Sequence, residues 1–481
     1  MRLLFGTGCI TFCLIACGDD ATVGDQGGSS STADPSTGDA PGSSTTATSS
    51  TSIEPSSTSS SAASSEDTGA DTSSSSGAET TGENPQEFNA GFDVTDISPN
   101  EGHLALNVYM GAYGPPFVRG PAESVHDNVY IRSFAISFGD VGFVAAVADL
   151  PGFGNNFTAD IVARVAENTG LPPEHIMVGA THSHSAPDFM GLWGGGPSEY
   201  RNPVIDEVVG SMSRAWLLRE PATLEVASAT GPNSNRRDWG FTDDSITLLM
   251  AHNEGGELVG SVGVFAAHPT VLGQSNRQIS RDWCAGYIDT MEEHTGAPAV
   301  LFNGILGDAR AGSAPGKFVD DFERSFAYGA MIADIAHENA GAADAISGGI
   351  VVDYTSWTMP VENVLFQLAA AIDLLDYSFS DSGDGQSVGA TSTYVRLGEQ
   401  LQFTSFPGEP LTRTGLEIKS MMTTPHQAIL GNTGPAFGYF ILGDEWMTGR
   451  NDDYEETVSL HETAGDLAVE AIMDLVESDR W

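Results

Sequence analysis

"VGATHSHSAPD", residues 178–188, decides how the chain reads. A short apolar run, Ile176 to Ala180, stops at Thr181 and delivers His182 and His184. Such a run bounded by polar residues reads as a buried strand with chemistry at its carboxyl end. The form recurs along the chain. "VGFVAAVADLPG" ends at Asp149, "VGVFAAHPT" at His268 and "AVLFNGILGD" at Asp308. "LQFTSFPGEP" ends at Glu409, and "AILGNTG" at Asn432. Between some of these lie amphipathic stretches, "TADIVARVAENTG" and "FERSFAYGAMIADIAHENA", with helical spacing. The alternation gives an α/β class: one large domain with a mixed β-sheet flanked by helices. In open α/β folds, ligands gather at the carboxyl ends of strands. That rule collects His182, His184, His268 and Glu409 into one candidate site.

Each residue also has a plainer reading. A single histidine at a strand end is more often a structural hydrogen bonder, and a Glu before Pro is more often a turn residue. A His-x-His pair says more, because period-two spacing on a strand points both imidazoles to the same side. Imidazoles with a carboxylate are what zinc takes, and a catalytic zinc site leaves one position for water. Bound water then ionises near neutrality. Ligand histidines need acceptors that fix their tautomer, and Asp149, Asp188 and Asp282 are the candidates. No Cys-x-x-Cys, Walker loop or Gly-x-Ser-x-Gly elbow competes, although a Ser–His–Asp triad stays open. Lysine chemistry is poorly served, since Lys317 and Lys419 are the only lysines.

The 481 residues carry 65 acidic against 19 basic side chains, a net charge of −46, which argues against nucleic-acid partners. The opening "MRLLFGTGCITFCLIACGDD" has the layout of an export signal: Arg2, an apolar stretch, then small residues. Leu14-Ile15-Ala16-Cys17 resembles a lipobox, the site at which bacterial lipoproteins are cleaved and lipidated on cysteine. Residues 1–16 therefore read as a lipoprotein signal peptide, and Cys17 as an anchor to the cell envelope. Residues 17–85, rich in Ser, Thr, Gly and Ala, cannot bury enough surface to offset chain entropy and read as a disordered tether. Residues 86–481 have globular composition. With Cys9 and Cys13 lost and Cys17 acylated, Cys284 is alone, and the mature fold is expected to hold no disulfide.

The ordered motifs of the globular part resemble the neutral, or alkaline, non-lysosomal ceramidases, over about residues 90–460. "GFDVTDISP" and "NVYMGAYG" are similar to that family's opening segment, and "THSHSAPD" to its Thr-His-Thr-His-Ser-Gly-Pro-Gly block. "NRRD" at 235–238, "FAAHPTVLG", "FPGEPLTRTG", "GNTGPAFGYFI" and "DYEETVSLH" follow in the family's order. The resemblance implies a zinc amidohydrolase that splits N-acylsphingosine into sphingosine and fatty acid by zinc-bound hydroxide. It implies one zinc per chain, held by His182, His268, Glu409 and Tyr439, and says nothing of calcium or magnesium. His184 would handle the scissile group or its proton, and Arg236 and Tyr454 would hold the substrate. The expected partners are an N-acyl lipid and, through Cys17, a membrane.

Three departures stand out. Arg310 occupies the place of a family serine in Gly307-Asp308-Ala309-Arg310. The chain stops at Trp481, where the family continues into an immunoglobulin-like domain, expected here to be absent. Asp188 replaces a glycine and could tune His184 or attract a second cation. The alternatives are a metallohydrolase of another N-acyl amide or ester, and a surface binding protein that has lost catalysis.

Overall fold

The structure, a computed structural model, describes residues 87–113, 119–237, 239–371, 374–381, 383, 385–447, 454–479 and 481. The signal, lipobox and tether expected over residues 1–85, and Asp238 of the "NRRD" block, lie outside the described residues. No helix among the described residues is long and apolar enough to cross a membrane.

Two sheets stack face to face, and helices cover both outer faces. The larger has nine strands. Its order runs Ala299–Asn303, Leu258–Phe265, Ser245–Asn253, Glu220–Thr230, Phe88–Asp96, Tyr130–Phe138, Val141–Ala148 and Ile176–Ala180, with Asp344–Ile346 beside Glu220–Thr230. Its interior pairs are antiparallel, and the outermost pair at each edge is parallel. The second, five-stranded sheet orders Ile350–Val361, Gln386–Leu397, Leu401–Ser405 and His426–Leu430, with Ser380–Asp381 beside Gln386–Leu397.

The alternation of side chains explains why the strands read as unbroken apolar runs. On Val141–Ala148, Phe143, Ala145 and Val147 face the second sheet and meet Val395, Phe403 and Ala428. Val144, Ala146 and Ala148 face the other way, against helices Asn155–Thr169 and Ser198–Leu217. Helices Trp283–Thr295 and Asp321–Ala340 cover the other half of that face. Helices Thr412–Lys419 and Ala464–Glu477 back the second sheet. A strand buried on both faces has no polar side to show. The expected mixed sheet flanked by helices is present, divided into two sheets that share the core holding Phe134, Phe143, Phe302 and Phe403.

Three parallel pairs position the site. Val141–Ala148 and Ile176–Ala180 are joined through helix Asn155–Thr169. Leu258–Phe265 and Ala299–Asn303 are joined through Trp283–Thr295. Leu401–Ser405 and His426–Leu430 are joined through Thr412–Lys419. Parallel neighbours need such crossovers, and both strands of a parallel pair end on the same side. The loops that leave these six strands meet one another. Gly179 shows how closely: a Cβ there would lie 2.5 Å from Thr433 Oγ1 and 2.9 Å from Asn432 O.

Candidate metal centre

His182 does not continue a strand. Ile176–Ala180 ends before it, and His182 takes φ 67°, a left-handed conformation costly for a residue with a Cβ. His182 and His184 therefore do not share a strand face as period-two spacing implies. Their rings meet, with centroids 4.8 Å apart, because a strained turn brings them together. His268 completes the group, 5.1 Å from the His182 ring and 5.4 Å from the His184 ring. One ring nitrogen from each of the three lies within 4.8 Å of the other two.

Backbone carbonyls orient two of these rings. His182 Nδ1 lies 2.6 Å from Pro151 O, and His268 Nδ1 lies 2.7 Å from Leu306 O. A carbonyl accepts only, so each ring carries its proton on Nδ1 and presents Nε2 as a lone pair. Both lone pairs point at Glu409, whose Oε2 lies 3.3 Å from His182 Nε2 and 3.1 Å from His268 Nε2. His268 Nε2 and Glu409 Oε2 have no hydrogen-bond partner of sound geometry. Lone pairs converging in a buried space call for a positive charge between them, and a metal cation fits this donor set. The titration behaviour agrees. Burial opposes charge on Glu409, yet His182 and His268 outweigh it and hold the carboxyl far below its usual range. Burial likewise opposes charge on His182, but Glu409 wins and raises the imidazole.

His184 differs. Neither of its ring nitrogens has a hydrogen-bond partner. Its backbone is clamped instead: its N–H donates to Pro269 O at 3.2 Å, and its carbonyl accepts from Arg119 Nη1 at 2.6 Å. The Tyr113 ring lies edge-on at 5.0 Å. Burial, and then His182 and His268, push its imidazole well below the ordinary value. It is a neutral ring with both nitrogens uncommitted.

Glu409 arrives through a tight approach. Gly408 has φ 146°, and a Cβ on it would lie 2.6 Å from Gly438 O, so glycine is required there. Glu409 then pairs with Tyr439 in a short parallel bridge, with Glu409 N donating to Gly438 O at 2.9 Å. The Tyr439 ring stacks beside His268 at 6.2 Å and meets the Tyr454 ring at 6.0 Å. The Arg236 guanidinium lies 5.5 Å over the Tyr454 ring and is ion-paired to Glu455. All seven residues singled out in the sequence thus fall in one connected cluster.

Asp149, Asp188 and Asp282 do not orient the histidines. Asp149 accepts from Tyr130 N. Asp282 accepts from Leu272 N, Trp283 N and Ser325 Oγ. Asp188 accepts from the backbone N–H groups of Met190, Gly191, Trp193 and Gly195, so its oxygens bind the 188–195 loop rather than a second cation. Arg310 is exposed and bridges by its backbone to His268. Cys284 is buried and free, its thiol pushed well up by burial, as expected of a small core residue.

The sequence reading missed Glu455, Glu456 and Arg237. Arg237 Nη2 lies 3.1 Å from Glu455 Oε2 and 2.9 Å from Glu456 Oε2, all three side chains being buried. The signal was present: an Arg-Arg pair in a chain poor in cations, and a Glu-Glu pair directly after Tyr454. It also missed Arg119, which the spacing of "NVYMGAYGPPFVRG" does not advertise.

Fold and site define a layered α/β protein with a buried three-histidine, one-carboxylate centre at the carboxyl ends of parallel strands. Two solved structures similar to it are ceramidases. A neutral ceramidase from Pseudomonas aeruginosa superposes with a TM-score of 0.66 at 18% identity, over 82% of this chain and 75% of that one. A ceramidase complexed with C2 superposes with a TM-score of 0.67 at 17% identity, over the same shares of the two chains. The chain therefore has the neutral ceramidase fold. The sequence matches no protein-family model and no curated protein.

Proposed function

We propose that this chain is a metal-dependent hydrolase that cleaves the amide of an N-acylsphingosine, releasing a fatty acid and an amine, and that zinc is its metal. One observation carries the reading: His182 Nε2 and His268 Nε2 converge on Glu409 Oε2 at 3.3 and 3.1 Å, in a fold shared with neutral ceramidases. His182, His268, Glu409 and Tyr439 would hold the metal. When bound, zinc supplies Lewis acidity and a water that ionises near neutrality.

The chain's own groups do the rest. His184, neutral and with both ring nitrogens uncommitted, takes a proton from the attacking water and gives it to the amide nitrogen as the C–N bond breaks. Tyr454, packed against Tyr439, donates to the carbonyl oxygen as negative charge grows on it. Arg236 lies over the Tyr454 ring and is tethered by Glu455, so its charge is held beside that oxygen at no cost of reorganisation. Export, anchorage through Cys17 and tethering by residues 17–85 belong to the same proposal and would hold the 86–481 domain near lipid. Labelling with a radioactive fatty acid, lost in Cys17→Ser, tests that part.

Arg310 supports a second reading. An exposed arginine on the backbone segment that pairs with His268, where the resembling family carries a serine, suits an N-acyl amide or ester with a polar or anionic head group. The experiment is fatty-acid release from labelled N-acylsphingosine by the full chain, with and without chelator, alongside metal content. Chelator-sensitive release supports the first reading. No release from protein carrying about one zinc moves the substrate to the second. No release and no bound metal overturns the hydrolase.

A further inference from the structure

We infer that Asn432 is a positioning residue that sets the metal-binding geometry of His182 and Glu409 together. This inference rests on the metal-centre reading proposed above.

Asn432 is fully buried and holds φ 50°, one of five non-glycine residues with positive φ among the described residues; His182 is another. Each of its polar groups but one goes to the frame of a proposed ligand. Its backbone N–H donates to Gly408 O at 2.7 Å, directly before Glu409. Its carbonyl accepts from Ala180 N at 3.1 Å, two residues before His182. Its amide Nδ2 donates to Pro151 O at 2.9 Å, the same oxygen that accepts from His182 Nδ1.

Pro151 O thus takes two donors, from His182 and from Asn432. The Asn432 amide nitrogen lies 3.2 Å from His182 Nδ1, so with the ring proton on Nδ1 the two donors sit side by side on one acceptor. Fixing the carbonyl fixes the Nδ1–H tautomer, and only that tautomer presents the Nε2 lone pair. One residue therefore links the first crossover, which delivers His182, to the third, which delivers Glu409. The left-handed backbone is what lets the main chain reach Gly408 and Ala180 while the side chain turns to Pro151. Asparagine tolerates that conformation better than most residues with a Cβ. The leftover Oδ1 is buried without a partner. A buried unsatisfied oxygen is a cost, and its retention accords with a residue kept for its donor.

Asn432→Gly separates the amide from the backbone, because glycine adopts positive φ freely. The measurement is zinc affinity of the purified full chain by competition with a chromophoric chelator, with thermal unfolding of the metal-free protein alongside. Asn432→Gly is expected to bind zinc 10- to 100-fold more weakly, while the metal-free unfolding temperature moves little. Asn432→Asp keeps the shape but turns the donor into an acceptor facing Pro151 O. It is expected to lose at least as much affinity, and it supplies the answer if the glycine variant does not fold. Wild-type affinity in both variants overturns the inference and leaves the hydrolase reading standing. Weakened zinc binding in a chain that hydrolyses no amide supports the inference and defeats the proposed function. A wild-type chain that binds no zinc overturns both.

Discussion

Glu409→Gln tests the centre most directly. Glutamine keeps the shape and an oxygen but removes the one negative charge facing His182 Nε2 and His268 Nε2 at 3.3 and 3.1 Å. A unit charge about 4 Å from another, at an effective dielectric of about 20, contributes about 4 kcal/mol. Zinc affinity should therefore fall by roughly three orders of magnitude. The metal-free protein should change in a pH-specific way. Glu409 is held below its ordinary 4.5, so its contribution to stability is present above that value and is lost as pH falls through its depressed folded value. His182 is raised above its ordinary 6.5, so its contribution is present below that value and is lost as pH rises through its raised folded value. Both are present together between about pH 4.5 and 6.5, where the metal-free wild type gains most from the pair. The assay is zinc competition at pH 7.5, with thermal unfolding of the metal-free protein from pH 4 to 9. A Glu409→Gln protein within tenfold of wild-type zinc affinity, with an unaltered stability–pH profile, refutes the centre.

Three further outcomes follow from the same geometry. His184→Gln should keep its zinc, since His182, His268, Glu409 and Tyr439 are the proposed ligands, yet lose about 100-fold or more in turnover; metal content and single-turnover rates on one sample decide it. Arg237→Ala leaves the buried Glu455 and Glu456 carboxylates without their shared partner, and denaturant unfolding should show a loss of about 3 kcal/mol or more. Gly286→Ala places a Cβ 2.0 Å from Phe326 O, where helices Trp283–Thr295 and Asp321–Ala340 cross, and should cost about 2 kcal/mol or more by the same method; unchanged stability would show that the two helices do not pack as described.

The legible part of the site was the part carried by side chains at strand ends. His182, His268 and Glu409 each follow an apolar run, and burial on both faces makes those runs unmistakable. The oriented tautomers were not legible, because Pro151 O and Leu306 O are main-chain atoms that any residue would supply. Carboxylates were the natural guess for that task, and the actual Asp188 and Asp282 are spent on backbone N–H groups of nearby loops. Asn432 was visible only as the end of "AILGNTG". Its part depends on Pro151 and His182, which lie 281 and 250 residues away along the chain.

The sequence by itself determined the α/β class, the chain's acidic balance and the candidate group His182, His184, His268 and Glu409. Those follow from local periodicity and residue chemistry, which need no knowledge of distant contacts. Only the tertiary structure decided which groups face one another. It split the expected sheet into two stacked ones, turned His182 into a left-handed conformation, and left His184, of the three site histidines, with neither ring nitrogen hydrogen-bonded. The physical reason is that a parallel pair places its two strand ends together whatever lies between them in the chain. Three such pairs meeting at one place make a centre that exists in no single stretch of the sequence.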